Sequence, residues 1–272
     1  MYEQLNITKT GINHRIGLVT LNRPDKLNAL TKVMEAELHD AMDSLNRDEE
    51  IRVVVLTGAG KGFCAGMDIS ELEVLPPGDI RAEQWMRPFD MNRRADYQTR
   101  YGYFPAMHKP VIAAINGAAA GLGLVFALYS DMRFASTKAV FSTAFSRRGL
   151  IAEHGIAWLL PRIVGPGHAA DLLYSARKVL ADEALRIGLI DRLVDADALM
   201  EMTLAYADEL AEHVSPRSMQ VIKRQLAEQP FQSLAQATQM ANVEMFDSIQ
   251  SDDFAEGVAH FVERRPPRFT GR

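Results

Sequence analysis

Two short apolar runs constrain this chain most: Val53-Val54-Val55-Leu56 and Val111-Ile112-Ala113-Ala114-Ile115 each pass into a glycine-rich stretch. Runs of four or five apolar, largely β-branched residues bounded by turn signals fit strands covered on both faces. The glycines after them, in Thr57-Gly-Ala-Gly-Lys-Gly62 and Asn116-Gly-Ala-Ala-Ala-Gly-Leu-Gly123, favour tight turns. Helix-compatible segments follow. Strand, glycine-rich turn and helix, twice over, call for α/β layering with crossover helices. Binding sites then fall at the carboxyl ends of the strands.

Extended segments are expected at 2–8, 16–21, 132–135 and 139–142. A helix over 32–46 is predicted by Met34, Leu38, Ala41 and Leu45, with Thr31 as its cap. Another is expected over 154–162. Residues 71–109, with Pro76, Pro77, Pro88 and Pro105, read as short helices and loops that cover a site. Beyond Asp197 the pattern is helical, over 199–214, 216–228, 233–249 and 252–264. In the last, Ser251 caps a face of Phe254, Val258 and Phe261. The division expected is a core over 1–196, holding the site, and a C-terminal helical region over 197–272.

A net charge of −5 argues against nucleic acid or an anionic membrane as the main partner. One cysteine cannot form an internal disulfide. No apolar stretch approaches the ~20 residues of a membrane span, and no targeting signal is recognised, so a cytoplasmic protein is expected. The glycine clusters lack the Lys-Ser/Thr step and the spacing of nucleotide loops. The seven histidines show no metal-ligand pattern, so no metal is expected. Cys64 reads as a small buried hydrophobe.

The informative pair is Phe63-Cys-Ala-Gly-Met-Asp-Ile69 and Asn116-Gly-Ala-Ala-Ala-Gly-Leu-Gly-Leu124. Each follows a strand and opens a helix, where backbone N–H groups lack intrahelical acceptors and can point at a negative oxygen. Together with Leu21-Asn-Arg-Pro-Asp-Lys-Leu-Asn-Ala-Leu30, Ala181-Asp-Glu-Ala-Leu-Arg-Ile-Gly-Leu189, and Ser251-Asp-Asp-Phe-Ala-Glu-Gly-Val258 with Glu263-Arg-Arg-Pro-Pro-Arg-Phe269, these segments resemble the crotonase superfamily, the enoyl-CoA hydratases and isomerases. That resemblance implies a spiral of ββα units and a C-terminal helical region that builds homotrimers or dimers of trimers. It implies an acyl-CoA substrate and no separate cofactor. The thioester oxygen would sit between the backbone N–H groups of Met67 and Leu122, with Gly121 beside them. Arg23, Lys26, Leu27 and Ala29 would lie near the adenine and phosphates, and Ala65, Asp68 and Ile69 along the pantetheine.

The chain departs from the hydratase pattern. Hydratases hold a water between two glutamates; counting places Val125 and Phe145 at those positions, as apolar pocket wall. Instead, Gly149-Leu-Ile-Ala-Glu-His-Gly155 sets Glu153 where related isomerases carry an acid. A single carboxylate suits double-bond isomerisation, taking a proton from one carbon and returning it to another. Glu153 also fits a helix-start role against the dipole. His154 is a candidate to orient it, to line the acyl pocket or to face a subunit contact. Hydration, thioester or β-diketone hydrolysis with Glu153 activating water, and acyl-CoA binding without turnover stay open as alternatives.

Overall fold

In the computed structural model, which describes residues 2–73 and 94–272, the apolar runs split between two cores. In β3 (Val53–Gly58), Val53 and Val55 enter one core while Val54 and Leu56 enter the other. β5 (Val111–Ile115) repeats this: Ile112 and Ala114 face one way, Val111, Ala113 and Ile115 the other. Successive side chains on a strand point to opposite faces, so a strand buried on both reads as continuously apolar.

Both strands belong to a six-stranded sheet ordered β1 (Leu5–Thr10), β2 (Ile16–Leu21), β3, β5, β7 (Met132–Ser136) and β10 (Arg192–Val194). The first pair is antiparallel and the rest run parallel. A second sheet is ordered β4 (Gly62–Cys64), β6 (Ala118–Ala120), β8 (Val140–Ser142) and β9 (Val179–Leu180). Each of β3, β5 and β7 is followed within a few residues by β4, β6 and β8. The chain therefore climbs both sheets together, as the expected spiral requires. The two-residue β9 and three-residue β10 carry too little pattern to be read from sequence.

α1 (Lys32–Arg47) starts where Thr31 Oγ1 accepts from the Met34 N–H at 3.1 Å. It buries Met34, Leu38, Ala41, Met42 and Leu45. Then come α2 (Ile69–Glu73), α3 (Tyr103–Ala106) and α4 (Leu122–Tyr129), the last apolar almost throughout. α5 (Ile156–Val164) begins two residues later than expected. His154 and Gly155 hold φ of +54° and +76°, left-handed values that a helix cannot continue. α6 (Pro166–Ser175) and α7 (Ala181–Arg186) complete the core.

α8 (Leu199–His213) lays Leu199, Ala207 and Ala211 on the core that Val53 and Val55 share, covering that face of the large sheet. α9 (Pro216–Glu228), α10 (Leu234–Ile249) and α11 (Asp252–Glu263) follow, α11 capped by Ser251 Oγ accepting from the Phe254 N–H. Val243, Phe246 and Ile249 of α10, with Phe254, Val258 and Phe261 of α11, stay exposed in the single chain. The segment after α11 is tied back to that helix. Buried Asp253 accepts from the Thr270 and Gly271 N–H groups at 2.7 and 3.0 Å, and Arg265 pairs with Glu256 and Glu263. No helix among the described residues is long and apolar enough to cross a membrane.

Candidate active site

β4 and β6 pair in parallel, so the two glycine-rich segments leave the small sheet side by side. Their contact depends on glycine. Gly66 has φ of +100°, and a Cβ there would sit 2.9 Å from the Ala120 carbonyl oxygen. A Cβ on Gly123 would collide with the Cys64 carbonyl. Leu30 bridges Met67 through Leu30 N–H to Gly66 O (2.7 Å) and Asp68 N–H to Leu30 O (2.8 Å), so the Met67 N–H points the other way. Leu122 is the first residue of α4, where N–H groups have no intrahelical acceptor. Neither N–H donates to an acceptor among the described residues. Both residues line one cavity of about 1000 Å³.

Glu153 lines the same cavity. Its side chain is about one-third exposed, at 32%. Burial raises its pKa, and the Arg100 guanidinium pulls the other way. Arg100 also lines the cavity and is held by Glu35 of α1. The nearest polar partner of the Glu153 carboxylate is His154 Nε2, at 3.5 Å. Burial first, then Arg100, pushes the His154 pKa down to about 4, so at neutral pH this contact is not an ion pair. The His154 ring lies 5.3 Å from the Tyr101 ring, edge to face, and its carbonyl accepts from Tyr129 Oη. α5 has no side-chain cap. Glu153 lies two residues before the Gly155 cap position, and its carboxylate accepts no hydrogen bond from α5 among the described residues.

Two other carboxylates reach the cavity, and both are occupied. Asp131 accepts from Lys223 Nζ at 2.7 Å, and Asp96 from Arg94 Nε at 3.0 Å. Among the described residues Glu153 is the cavity carboxylate without an Arg or Lys ion-pair partner.

The other expected site residues separate into groups. Ala65, Ile69, Gly121 and Phe145 line the cavity. Val125 does not: it is fully buried in the core, so its placement as acyl wall is corrected. Arg23, Lys26, Leu27 and Ala29 lie outside the cavity, in and around a 3-10 turn that ends in the left-handed Leu27 and Asn28. Arg23 donates to Ala29 O and to Asp68 at 2.8 Å. Asp68 is thus committed to Arg23, with Ser70 on its other oxygen, and these bonds hold its pKa down to about 2. It steadies the loop rather than lining the cavity.

Of the expected cap over 71–109, residues 74–93 lie outside the described residues; Tyr97, Thr99, Arg100 and Tyr101 do line the cavity. Sequence reading missed Trp158 and Leu159 of α5, and Leu226 and Phe231 near the end of α9. The latter pair carries no motif, and its place is set by tertiary packing alone. The cavity therefore draws on both sides of the division expected at residue 196. Among the described residues no cluster of His, Cys, Asp and Glu could hold a metal.

A two-sheet parallel spiral with a helical C-terminal region, closing on one large apolar cavity, is the architecture of the crotonase superfamily. An enoyl-CoA hydratase from Bacillus anthracis superposes with a TM-score of 0.89 at 28% identity, covering 99% of this chain and 100% of its own. One from Mycobacterium smegmatis gives 0.86 at 27%, covering 98% and 99%. The 1,2-epoxyphenylacetyl-CoA isomerase of Escherichia coli K12 is 34% identical over 257 residues, 93% of this chain and 94% of that protein. Residues 11–272 match the enoyl-CoA hydratase/isomerase family, and the chain belongs to it.

Proposed function

We propose that this protein isomerises the double bond of an acyl-CoA thioester, with Glu153 as the single proton carrier. The observation that carries this reading is the shared cavity: Met67 and Leu122 with their undonated N–H groups, and one carboxylate without a cationic partner. The thioester carbonyl oxygen accepts from both N–H groups. Glu153 removes a proton from C2 of a 3-enoyl-CoA, and the electron pair moves onto the thioester oxygen as an enolate. The same carboxyl returns the proton at C4, leaving the double bond between C2 and C3. Each donor of such a hole is worth ~2.7–4 kcal/mol in the transition state. Partial burial supports the reading, because a base with a raised pKa transfers protons more effectively near neutrality. The adenine and phosphates of CoA are assigned to Arg23, Lys26, Leu27 and Ala29, and the pantetheine to Ala65 and Ile69.

Hydration is the second reading, favoured by the hydratases among the related structures. Phe145 in the cavity wall speaks against it, since it cannot replace a water-holding carboxylate. Mass spectrometry of products from 2-enoyl- and 3-enoyl-CoA separates the two. Isomerisation leaves the mass unchanged, whereas hydration adds a water. A major hydrated product, with no 3-enoyl to 2-enoyl conversion, refutes the isomerase reading.

The exposed apolar residues of α10 and α11 support a homotrimer or a dimer of trimers. Light scattering that returns only the mass of one chain refutes that assembly.

A further inference from the structure

From Glu153 the cavity continues along the first turn of α5, where Gly155, Trp158 and Leu159 line it at spacings of three and four. That is one face of a helix. Trp158 then stacks on Phe231, with ring centroids 5.5 Å apart and planes inclined by 12°. The stack is closed on both sides by guanidinium groups. Arg162 Cζ lies 3.9 Å from the Trp158 ring centroid, and Arg94 Cζ lies 4.2 Å from that of Phe231. Arg162 is steadied by donating to Trp158 O at 2.8 Å, and Arg94 by Asp96 and Glu228 at 3.0 and 3.3 Å. Four side chains from three separate segments form this layered clasp. Neither aromatic ring belongs to a buried core, and both face the cavity. The wall beside them is tied to α9 by Tyr97 Oη, which donates to Ala227 O at 2.5 Å.

Resting on the function proposed above, we propose that Trp158 and Phe231 form the end wall of the acyl site. The acyl group accepted is then a bulky apolar one, long enough to reach that wall, rather than a four-carbon one. A thioester oxygen at Met67 and Leu122, with C2 at Glu153, leaves Leu159, Trp158 and Phe231 for the remainder of the acyl group. The cavity of about 1000 Å³ also takes the pantetheine past Ala65 and Ile69, and its far part, beyond Glu153, is walled by Leu159, Trp158 and Phe231. A four-carbon acyl group leaves its apolar walls wet.

The test uses titration calorimetry of the intact protein with saturated thioesters, so that no turnover is needed. Each buried methylene is worth about fourfold in affinity, so decanoyl-CoA is expected to bind at least ~100-fold more tightly than butanoyl-CoA. Phenylacetyl-CoA, which also reaches along the α5 face, is expected to exceed butanoyl-CoA as well. Phe231→Ala opens the wall and moves the optimum toward hexadecanoyl-CoA, while Phe231→Trp moves it toward shorter chains. Phe231→Leu and Trp158→Phe repeat the measurement with smaller changes should Phe231→Ala not fold. Equal affinity for butanoyl and decanoyl thioesters, or an unchanged profile in the folded wall variants, overturns the inference. A retained chain-length preference without isomerisation refutes the proposed reaction alone.

Discussion

Replacing Glu153 by Gln removes the base and keeps its shape. The carboxylate accepts no hydrogen bond from α5, and its polar neighbour, His154 Nε2, is neutral at pH 7. No ion pair is therefore lost, and thioester binding through the Met67 and Leu122 amides is expected to survive. Loss of a positioned general base costs ~10²–10⁴-fold, or about 2.7–5.4 kcal/mol of barrier. The stability change has the opposite sign. Burial raises the folded pKa of Glu153 above its unfolded value, so the folded protein binds the extra proton more readily. Stability is then highest below the unfolded pKa of ~4.3 and falls as pH rises through the folded value. At neutral pH the ionised carboxylate is a small liability, and Glu153→Gln is expected to melt at the same temperature or higher. The assay measures deuterium uptake at C2 of a saturated acyl-CoA in heavy water, beside a thermal melt. Exchange at the wild-type rate in a stable variant refutes Glu153 as the base. A melt lowered by the ~0.3–1 kcal/mol of a lost helix-dipole contact, with turnover intact, assigns Glu153 the helix-start role instead.

Arg100→Gln removes the guanidinium that favours the Glu153 carboxylate, so the acid limb of kcat/KM is expected to move to higher pH; an unmoved limb separates the two groups. Gly123→Ala forces a methyl group against the Cys64 carbonyl and is expected to cost ~1–3 kcal/mol in denaturant unfolding; an unchanged midpoint contradicts the close packing. Asp68→Asn releases Arg23 from its 2.8 Å pair and is expected to weaken CoA binding while leaving acyl-chain preference alone, which calorimetry with CoA and acyl-CoA checks. The Asp68 pKa is held down to about 2, so the pair's contribution is present above the unfolded value of ~3.9 and fades as pH falls through 2; an acid melt of the variant is expected to lose that step.

The features legible in the sequence are those set by near neighbours. Thr31 and Ser251 cap the helices expected of them, because an N-cap needs only its own oxygen and an amide three residues on. The runs at Val53 and Val111 announce buried strands, because burial on both faces removes every polar residue. Position counting served less well for side chains. It placed Val125 and Phe145 alike in the wall, yet Phe145 faces the cavity and Val125 is sealed in the core. Helix α5 began late because His154 and Gly155 are left-handed, and a histidine in that conformation leaves no compositional trace. Phe231 and Leu226 reach the site from α9 and the turn after it, through contacts that bridge distant parts of the chain. Such placement is a property of packing, and no local pattern encodes it.

The close packing of β4 against α4 has a practical consequence. Cys64 is the chain's single cysteine, fully buried, with its thiol pushed up to about 12 by burial. Thiols react as thiolates, so alkylation at neutral pH is negligible while the strand is seated. Its modification rate then reports how often the segment leading to Met67 lifts away from α4. In the limit where reclosing outruns labelling, the logarithm of the ratio of that rate to the rate of a freely exposed cysteine gives an opening free energy for one side of the amide pair. The wild-type chain thus carries its own single-site probe, and a tightly bound thioester should slow the labelling in proportion to its occupancy.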